Sequence, residues 1–212
     1  DPYSGSKGCA ELVAYSYYHS FLSNTPTRMV TTRAGNVIGG GDWADDRIVP
    51  DCMRAWSEGK TVDVRNPHAT RPWQHVLEPL GGYLWLGSRL LSGHDDLDGE
   101  AFNFGPDANV DQTVAELLAA MAARWPGVEW HTTEGHDKGV PEATLLKLSC
   151  DKALFYLGWH AVLKFSEVVA LTVDWYHTWH SGEKDLHGYT LSQIDQYQGL
   201  ARARGLPWVQ QG

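Results

Sequence analysis

Tyr3 and Lys7 are the first candidate catalytic residues in the chain. They stand four positions apart, so on a helix they lie on the same face. A free tyrosine is a poor base at neutral pH, but a neighbouring ammonium group favours the phenolate form. The residues between them are small and would let a sugar or a cofactor ribose approach closely. A Tyr–Lys pair on a solvated helix is the competing interpretation, because this spacing is frequent by chance.

A second segment places an arginine and an asparagine before a run of glycines. It starts at Arg33, passes through Asn36 and reaches glycines at 39–41. The preceding residues, 29–32, predict a buried strand, and ligands of α/β proteins bind beyond the carboxyl ends of strands. Asn36 could therefore donate to a phosphate oxygen while the glycine N–H groups face an anion. A flexible turn with a hydrogen-bonded asparagine explains the same residues.

The stretch 65–76 concentrates cationic and aromatic side chains. It contains Arg65, Arg71 and His75, together with a tryptophan. Arginine presents a planar fork that matches phosphate, so the stretch predicts an anion site. Surface arginines beside a core tryptophan are an equally good interpretation of this stretch taken alone.

Metal and hydrolase chemistry have little support. His177 and His180 are three positions apart and could share a metal, but no nearby Cys, Asp or Glu completes a set, so we predict no metal site. No Ser/His/Asp nucleophile motif stands out. The three cysteines are far apart and form no C-x-x-C pair, which favours reduced thiols in a cytoplasmic protein.

The charge of the chain limits its partners. The formal net charge is −9, and a field of that sign repels nucleic acid and anionic membranes. We therefore expect neither as a partner. A phosphorylated substrate would need a few local arginines.

Strands that alternate with helices predict an α/β layer architecture. The strands are too few for a complete doubly wound sheet, and no glycine-rich dinucleotide or P-loop motif is present. The chain also begins at Asp1, already inside the Tyr3 motif, so we expect it to be part of a longer protein. The predicted helices cover 3–22, 48–56, 77–91, 114–123, 151–157, 165–179 and 191–204, the predicted strands 29–32, 62–64, 101–104 and 145–148, and a predicted loop 34–46.

In their order and spacing, these segments resemble the extended short-chain dehydrogenase/reductase family. The resemblance implies an α/β fold: the C-terminal part of the family's Rossmann-like fold plus its small substrate-binding domain. Residues 1–35 would be a remnant of the NAD-binding domain, and residues 36–212 mainly the substrate-binding region, with some segments returning to the Rossmann domain. The matching motifs are Y-x-x-x-K at Tyr3, the asparagine after a strand at Asn36, R-x-W-x-x-V from Arg71, N-F-G from Asn103, and D-K-A with L-G-W between Asp151 and Trp159.

The resemblance also implies roles for residues. NAD would be the cofactor, with Tyr3 and Lys7 as catalytic residues that also contact it, together with Arg33. The substrate would be a nucleotide-sugar, and the complete protein would be a homodimer. The implied substrate-binding residues are Asn36, Arg47, Arg65, Arg71 and His75.

Two segments, 33–43 and 65–80, resemble the branch of this family that dehydrates CDP-glucose. Pro72 follows the arginine, where dTDP-glucose dehydratases and UDP-hexose epimerases usually carry aspartate. The implied reaction is internal redox. Tyr3 takes the C4 hydroxyl proton while hydride passes to NAD, water leaves from C5/C6, and the hydride returns to C6. The product, CDP-4-keto-6-deoxyglucose, would lead to O-antigen sugars of bacterial lipopolysaccharide.

Some family features are missing. The nucleotide-binding half and the upstream elimination residues are not in the chain, and residues 139–142 lack an arginine that relatives place there, for which Lys147 is a candidate substitute. A UDP-sugar 4-epimerase, another nucleotide-sugar dehydratase and a non-catalytic sugar-nucleotide-binding fragment stay open. We expect the chain alone to be inactive and to leave Val13, Tyr17 and Val30 partly exposed.

Overall fold

Pairs of parallel strands organise the computed structural model, which describes residues 1–107, 112–132 and 147–210. Within these ranges β1 pairs with β5, β2 with β4, and β3 with β6. Parallel neighbours need crossover connections, and helices supply them. The strands are β1 (Thr31–Ala34), β2 (Asn36–Ile38), β3 (Val62–Val64), β4 (Trp73–His75), β5 (Ala101–Phe104) and β6 (Trp130–Thr132).

The helices account for most of the regular structure. They are α1 (Pro2–Tyr17), α2 (Ile48–Ser57), α3 (Leu77–Leu91), α4 (Val114–Ala122), α5 (Asp151–Leu157), α6 (Phe165–His180) and α7 (Leu186–Ala203). A π-helical turn, Tyr18–Leu22, extends α1, and short 3-10 turns lie at Asp95–Leu97 and Pro207–Val209. No helix in the described part of the chain has the length and apolar character needed to cross a membrane.

Helix α1 begins where local chemistry requires it to begin. The Asp1 carboxylate accepts a hydrogen bond from the Ser4 N–H at 2.9 Å, and Pro2 occupies the first turn, where its missing N–H has no cost. None of the residues of α1 is buried. Val13 and Tyr17 are 66% and 54% exposed and Val30 is half-buried, as the sequence led us to expect.

Two hydrophobic cores position the remaining elements. One gathers side chains of α2, α4, α6 and α7, among them Met53, Trp56, Leu117, Met121, Val173 and Tyr176. The other surrounds β5, between α3 and α5, with Trp85, Leu86, Phe102, Phe104, Leu157 and Trp159. The division of the chain at residue 35 stays a prediction, and β1 pairs with β5 across it.

Several predicted elements were wrong in place or kind. Strand β2 lies inside the predicted loop 34–46, β4 and β6 were not predicted, and β1 begins two residues later than expected, at Thr31. Each of β2, β4 and β6 is three residues long, too short for an alternating pattern, and is defined by pairing with a distant strand. Of the predicted strand 145–148, residues 145–146 lie outside the described residues and 147–148 form no strand. Residues 139–142 also lie outside them.

Candidate active site

Helix α1 presents Tyr3 and Lys7 together. The Lys7 Nζ lies 5.5 Å from the centroid of the Tyr3 ring, and the tyrosine is 71% exposed. Lys7 is exposed as well. The predicted pair therefore shares one face of the helix, and that face is open to a ligand.

Arg33 ties this helix to the sheet. Its Nε and Nη2 donate to the Glu11 carboxylate of α1, both at 2.7 Å, and its Nη1 donates to Asn103 Oδ1 on β5 at 3.2 Å. The hydrogen bonds from Arg33 hold the pKa of Glu11 below its usual range. Arg33 thus fixes the position of α1, and its predicted contact with a cofactor stays a prediction.

Segments distant in sequence meet at the carboxyl ends of β1 and β5. A methyl group added at Gly35, which follows β1, would lie 2.9 Å from Pro72 Cγ and 3.4 Å from Leu148 Cδ1. One added at Gly105, which follows β5, would lie 3.4 Å from Leu148 Cβ. This close approach is the kind of position that glycine permits. Binding sites of α/β folds usually lie beyond such strand ends.

Asn36 and Arg71 are brought side by side by strand pairing. Asn36 begins β2 opposite Trp73, the first residue of β4, and Arg71 lies just before that strand. Arg71 is half-buried, and its Nη1 donates to the Thr70 carbonyl at 2.8 Å. Both residues therefore stand at the same edge, as an anion site between them requires.

Arg47 and Arg65 lie on the surface. Arg47 is exposed at the start of α2, and Arg65 is exposed directly after β3. Within the described ranges neither side chain makes a hydrogen bond or an ion pair, so both guanidinium groups are open to an anion. Their predicted substrate contacts stay predictions.

His75 is enclosed rather than exposed. It is 3% exposed, and burial lowers its pKa to about 4, so the ring is neutral at neutral pH. Its Nδ1 accepts a hydrogen bond from the Leu77 N–H at 3.3 Å, which assigns the proton to Nε2. That Nε2 has no partner among the described residues and would lie 3.5 Å from a methyl group added at Gly39. His75 therefore supports the glycine segment from beneath.

Sequence reasoning missed Glu78, the second residue of α3. This carboxylate is 1% exposed and accepts hydrogen bonds from the N–H groups of Val162 at 3.0 Å and Leu163 at 2.6 Å, and from the Tyr197 hydroxyl at 3.0 Å. Burial raises its pKa to about 6. Its partners lie far along the chain, so no local pattern could have identified it. It anchors the start of α3, directly after β4.

The two histidines of α6 have a packing role. The rings of His177 and His180 lie 5.2 Å and 5.5 Å from the ring of Trp125. Across residues 1–107, 112–132 and 147–210, no group of three or more His, Cys, Asp or Glu side chains could hold a metal ion.

No family model matches the chain, but individual proteins do. It is 42% identical, over 188 residues, to the CDP-glucose 4,6-dehydratase of Salmonella typhimurium strain LT2, covering 86% of this chain and 52% of that protein. It is 29% identical, over 180 residues, to the dTDP-glucose 4,6-dehydratase of Streptomyces antibioticus, covering 82% and 48%. The chain therefore spans about half the length of the curated relatives it matches. The similarity confirms the resemblance predicted from the motifs.

The fold is shared with solved enzymes. UDP-glucose-4-epimerase of Stenotrophomonas maltophila, solved with bound NAD and formylated UDP-arabinopyranose, superposes with a TM-score of 0.68 at 16% identity, covering 86% of this chain and 56% of the epimerase. This confirms the predicted fold class: the architecture is that of part of an extended short-chain dehydrogenase/reductase Rossmann-type fold.

Proposed function

We propose that this chain supplies the tyrosine base and the substrate-binding region of an NAD-dependent 4,6-dehydratase that acts on CDP-glucose. One observation carries the proposal. The open helix face with Tyr3 and Lys7 is tied through Arg33 to the strand whose end leads to Asn36. The higher identity to a CDP-glucose than to a dTDP-glucose dehydratase supports the nucleotide.

Tyr3 is the proton acceptor in this proposal. Its phenol would take the proton from the C4 hydroxyl of the sugar, and the Lys7 ammonium lies on the same face of the helix. The exposed helix face that carries Tyr3 and Lys7 leaves room for a cofactor ribose. When bound, NAD would supply the acceptor for the C4 hydride.

The diphosphate of the substrate would bind beyond the end of β1, where β2 and β4 begin. The Asn36 amide can donate to one phosphate oxygen, and the Arg71 guanidinium, at the same edge, can offer a bidentate fork. The neutral His75 is enclosed and supports the glycine segment from beneath, whereas Arg47 and Arg65 are exposed cations. These local charges would offset the overall charge of −9.

The later steps follow from the chemistry of the ketone. Oxidation at C4 acidifies the C5 hydrogen, so water can leave from C5/C6 before C6 is reduced. We assign no residue of this chain to that elimination. The product would be CDP-4-keto-6-deoxyglucose, made in the cytoplasm by a homodimer for O-antigen sugars, with no nucleic-acid or membrane partner.

A fusion protein tests the proposal. This chain would replace the matched 52% of the Salmonella typhimurium relative. The resulting fusion protein would be incubated with NAD and CDP-glucose. We expect a keto sugar nucleotide lighter than the substrate by one water. The unmodified relative is the positive control, and dTDP-glucose and UDP-glucose test the nucleotide.

Other products would assign other functions. A C4 epimer of the same mass would indicate an epimerase, an activity that the shared fold permits. A folded fusion that binds CDP-glucose without turnover would indicate a binding module. Either result would overturn the dehydratase assignment.

A further inference from the structure

Residues 39–47, which we term the glycine loop, connect β2 to α2. The loop follows the proposed substrate residue Asn36 and ends at the other, Arg47. Their backbone is unusual. Gly41 has a φ of +81° and Asp46, which is not a glycine, has a φ of +59°. Only a few per cent of non-glycine residues adopt a positive φ, and aspartate does so more readily than most.

Helix α6 holds the loop on one side. The Tyr176 hydroxyl donates to the Asp42 carbonyl at 2.6 Å, and the Tyr176 side chain is fully buried. A methyl group added at Gly40 would lie 2.0 Å from Trp175 Cγ, so the loop backbone rests directly on that indole. The Trp43 ring meets Tyr176 edge-on, with centroids 5.2 Å apart.

Two further contacts complete the support. From α2, the Arg54 guanidinium donates to the carbonyls of Trp43 at 2.8 Å and Ala44 at 3.3 Å. The Trp175 indole N–H donates to Thr190 Oγ1 of α7 at 2.9 Å. The ring beneath Gly40 is thus fixed in turn, and the path of the loop depends on the packing of α6 against α7.

We infer that Tyr176 and Trp175 are positioning residues for sugar-nucleotide binding. By fixing the glycine loop at Asp42 and Gly40, they set where Asn36 and Arg47 stand relative to each other around the diphosphate. The inference rests on the proposed function, because it assigns the substrate to those two residues. Burial and the Asp42 carboxylate raise the pKa of Tyr176, so its hydroxyl remains a donor at neutral pH.

Hydrogen exchange on the 212-residue chain tests the support of the loop without any substrate. Tyr176→Phe removes only the hydroxyl. Amide exchange in residues 39–47 should become roughly three- to tenfold faster, which corresponds to the loss of one hydrogen bond. Tyr197→Phe is the matched control, because it removes a buried hydroxyl that donates to Glu78 and should leave exchange in the loop unchanged. Unchanged loop exchange in Tyr176→Phe would overturn the inference.

Kinetics of the fusion enzyme test the effect on substrate. For Tyr176→Phe we expect KM for CDP-glucose to rise roughly three- to tenfold with kcat within about twofold of the parent. Gly40→Ala, which forces the loop away from Trp175, should change KM in the same direction. A purely structural role would lower the thermal stability of both tyrosine variants and leave KM alone, which would refute positioning. A parent fusion without dehydratase activity would refute the proposed function instead, and the exchange result would still decide whether Tyr176 holds the glycine loop.

Discussion

At the scale of single residues, Tyr3 and Lys7 form a pair because helix α1 holds them one turn apart on an open face. The exposure of Tyr3 means that its hydroxyl has no role in the packing of this chain. Chemical and structural effects of changing it can therefore be separated.

Tyr3→Phe in the fusion enzyme should lower kcat ~10²-fold or more, because general base catalysis is lost. The melting temperature should not change. Tyr15→Phe is a matched control, since Tyr15 is an exposed tyrosine of the same helix and should keep full activity. Near-parental turnover of Tyr3→Phe would remove Tyr3 from the mechanism.

Arg71→Ala should weaken CDP-glucose binding roughly ten- to a hundredfold, the effect of losing a charge-assisted hydrogen bond of about 1.5–3 kcal/mol. Arg71→Lys keeps the positive charge but loses the bidentate guanidinium fork, so its affinity for CDP-glucose should lie between those of the parent and Arg71→Ala. Calorimetric titration measures both variants. Arg202→Ala, at an exposed arginine of α7, is the control and should bind CDP-glucose with the affinity of the parent. If Arg71→Ala also binds with the affinity of the parent, Arg71 has no part in substrate binding.

At the scale of elements, Glu78 joins α3 to α7 and to the segment before α6. Its carboxylate satisfies two main-chain N–H groups and one phenol in a buried setting. A buried carboxylate is harder to ionise in the folded protein than in the unfolded chain, so its contribution to stability must depend on pH.

The direction of this pH dependence follows from the pKa of Glu78, which burial raises from 4.5 to about 6. The folded state binds the proton more tightly, so the stabilisation is complete below pH 4.5 and is lost as pH rises through 6. The free energy of unfolding of the parent, relative to Glu78→Gln, should fall by about 2 kcal/mol between pH 4 and 7. Urea titrations of both proteins measure it, and a difference that grows with pH would contradict this account.

At the scale of the whole molecule, α1 contacts the rest of the chain on one side and leaves apolar side chains on the other. Leu12, Val13, Tyr17 and Phe21 are all more than half exposed. Apolar patches of this kind promote association.

We therefore expect the 212-residue chain alone to self-associate and to show no turnover with NAD and CDP-glucose. Sedimentation velocity should show that Val13→Glu shifts the chain toward the monomer. Leu91→Glu, at a residue 93% exposed on α3, should not. A monomeric chain that forms product would contradict both expectations.

The helices and the residue pair on α1 could be predicted from local sequence, except that α7 begins at Leu186, five residues before the predicted start at 191. Helix α3 has the predicted bounds, and α2, α4 and α6 end within a residue of them, because apolar periodicity and capping are local. The capping box between Thr113 and Glu116 is one such signal. Tyr3 and Lys7 were identifiable because their spacing and the helix that aligns them lie in one short segment.

The short strands and the surroundings of the site depend on tertiary contacts instead. Strands β2 and β4 are three residues each and exist through pairing with each other. The burial of His75, the partners of Glu78 and the support of the glycine loop by Tyr176 all join residues far apart in the chain. Such contacts depend on how helices and strands pack in space, and no local pattern of residue types records that packing.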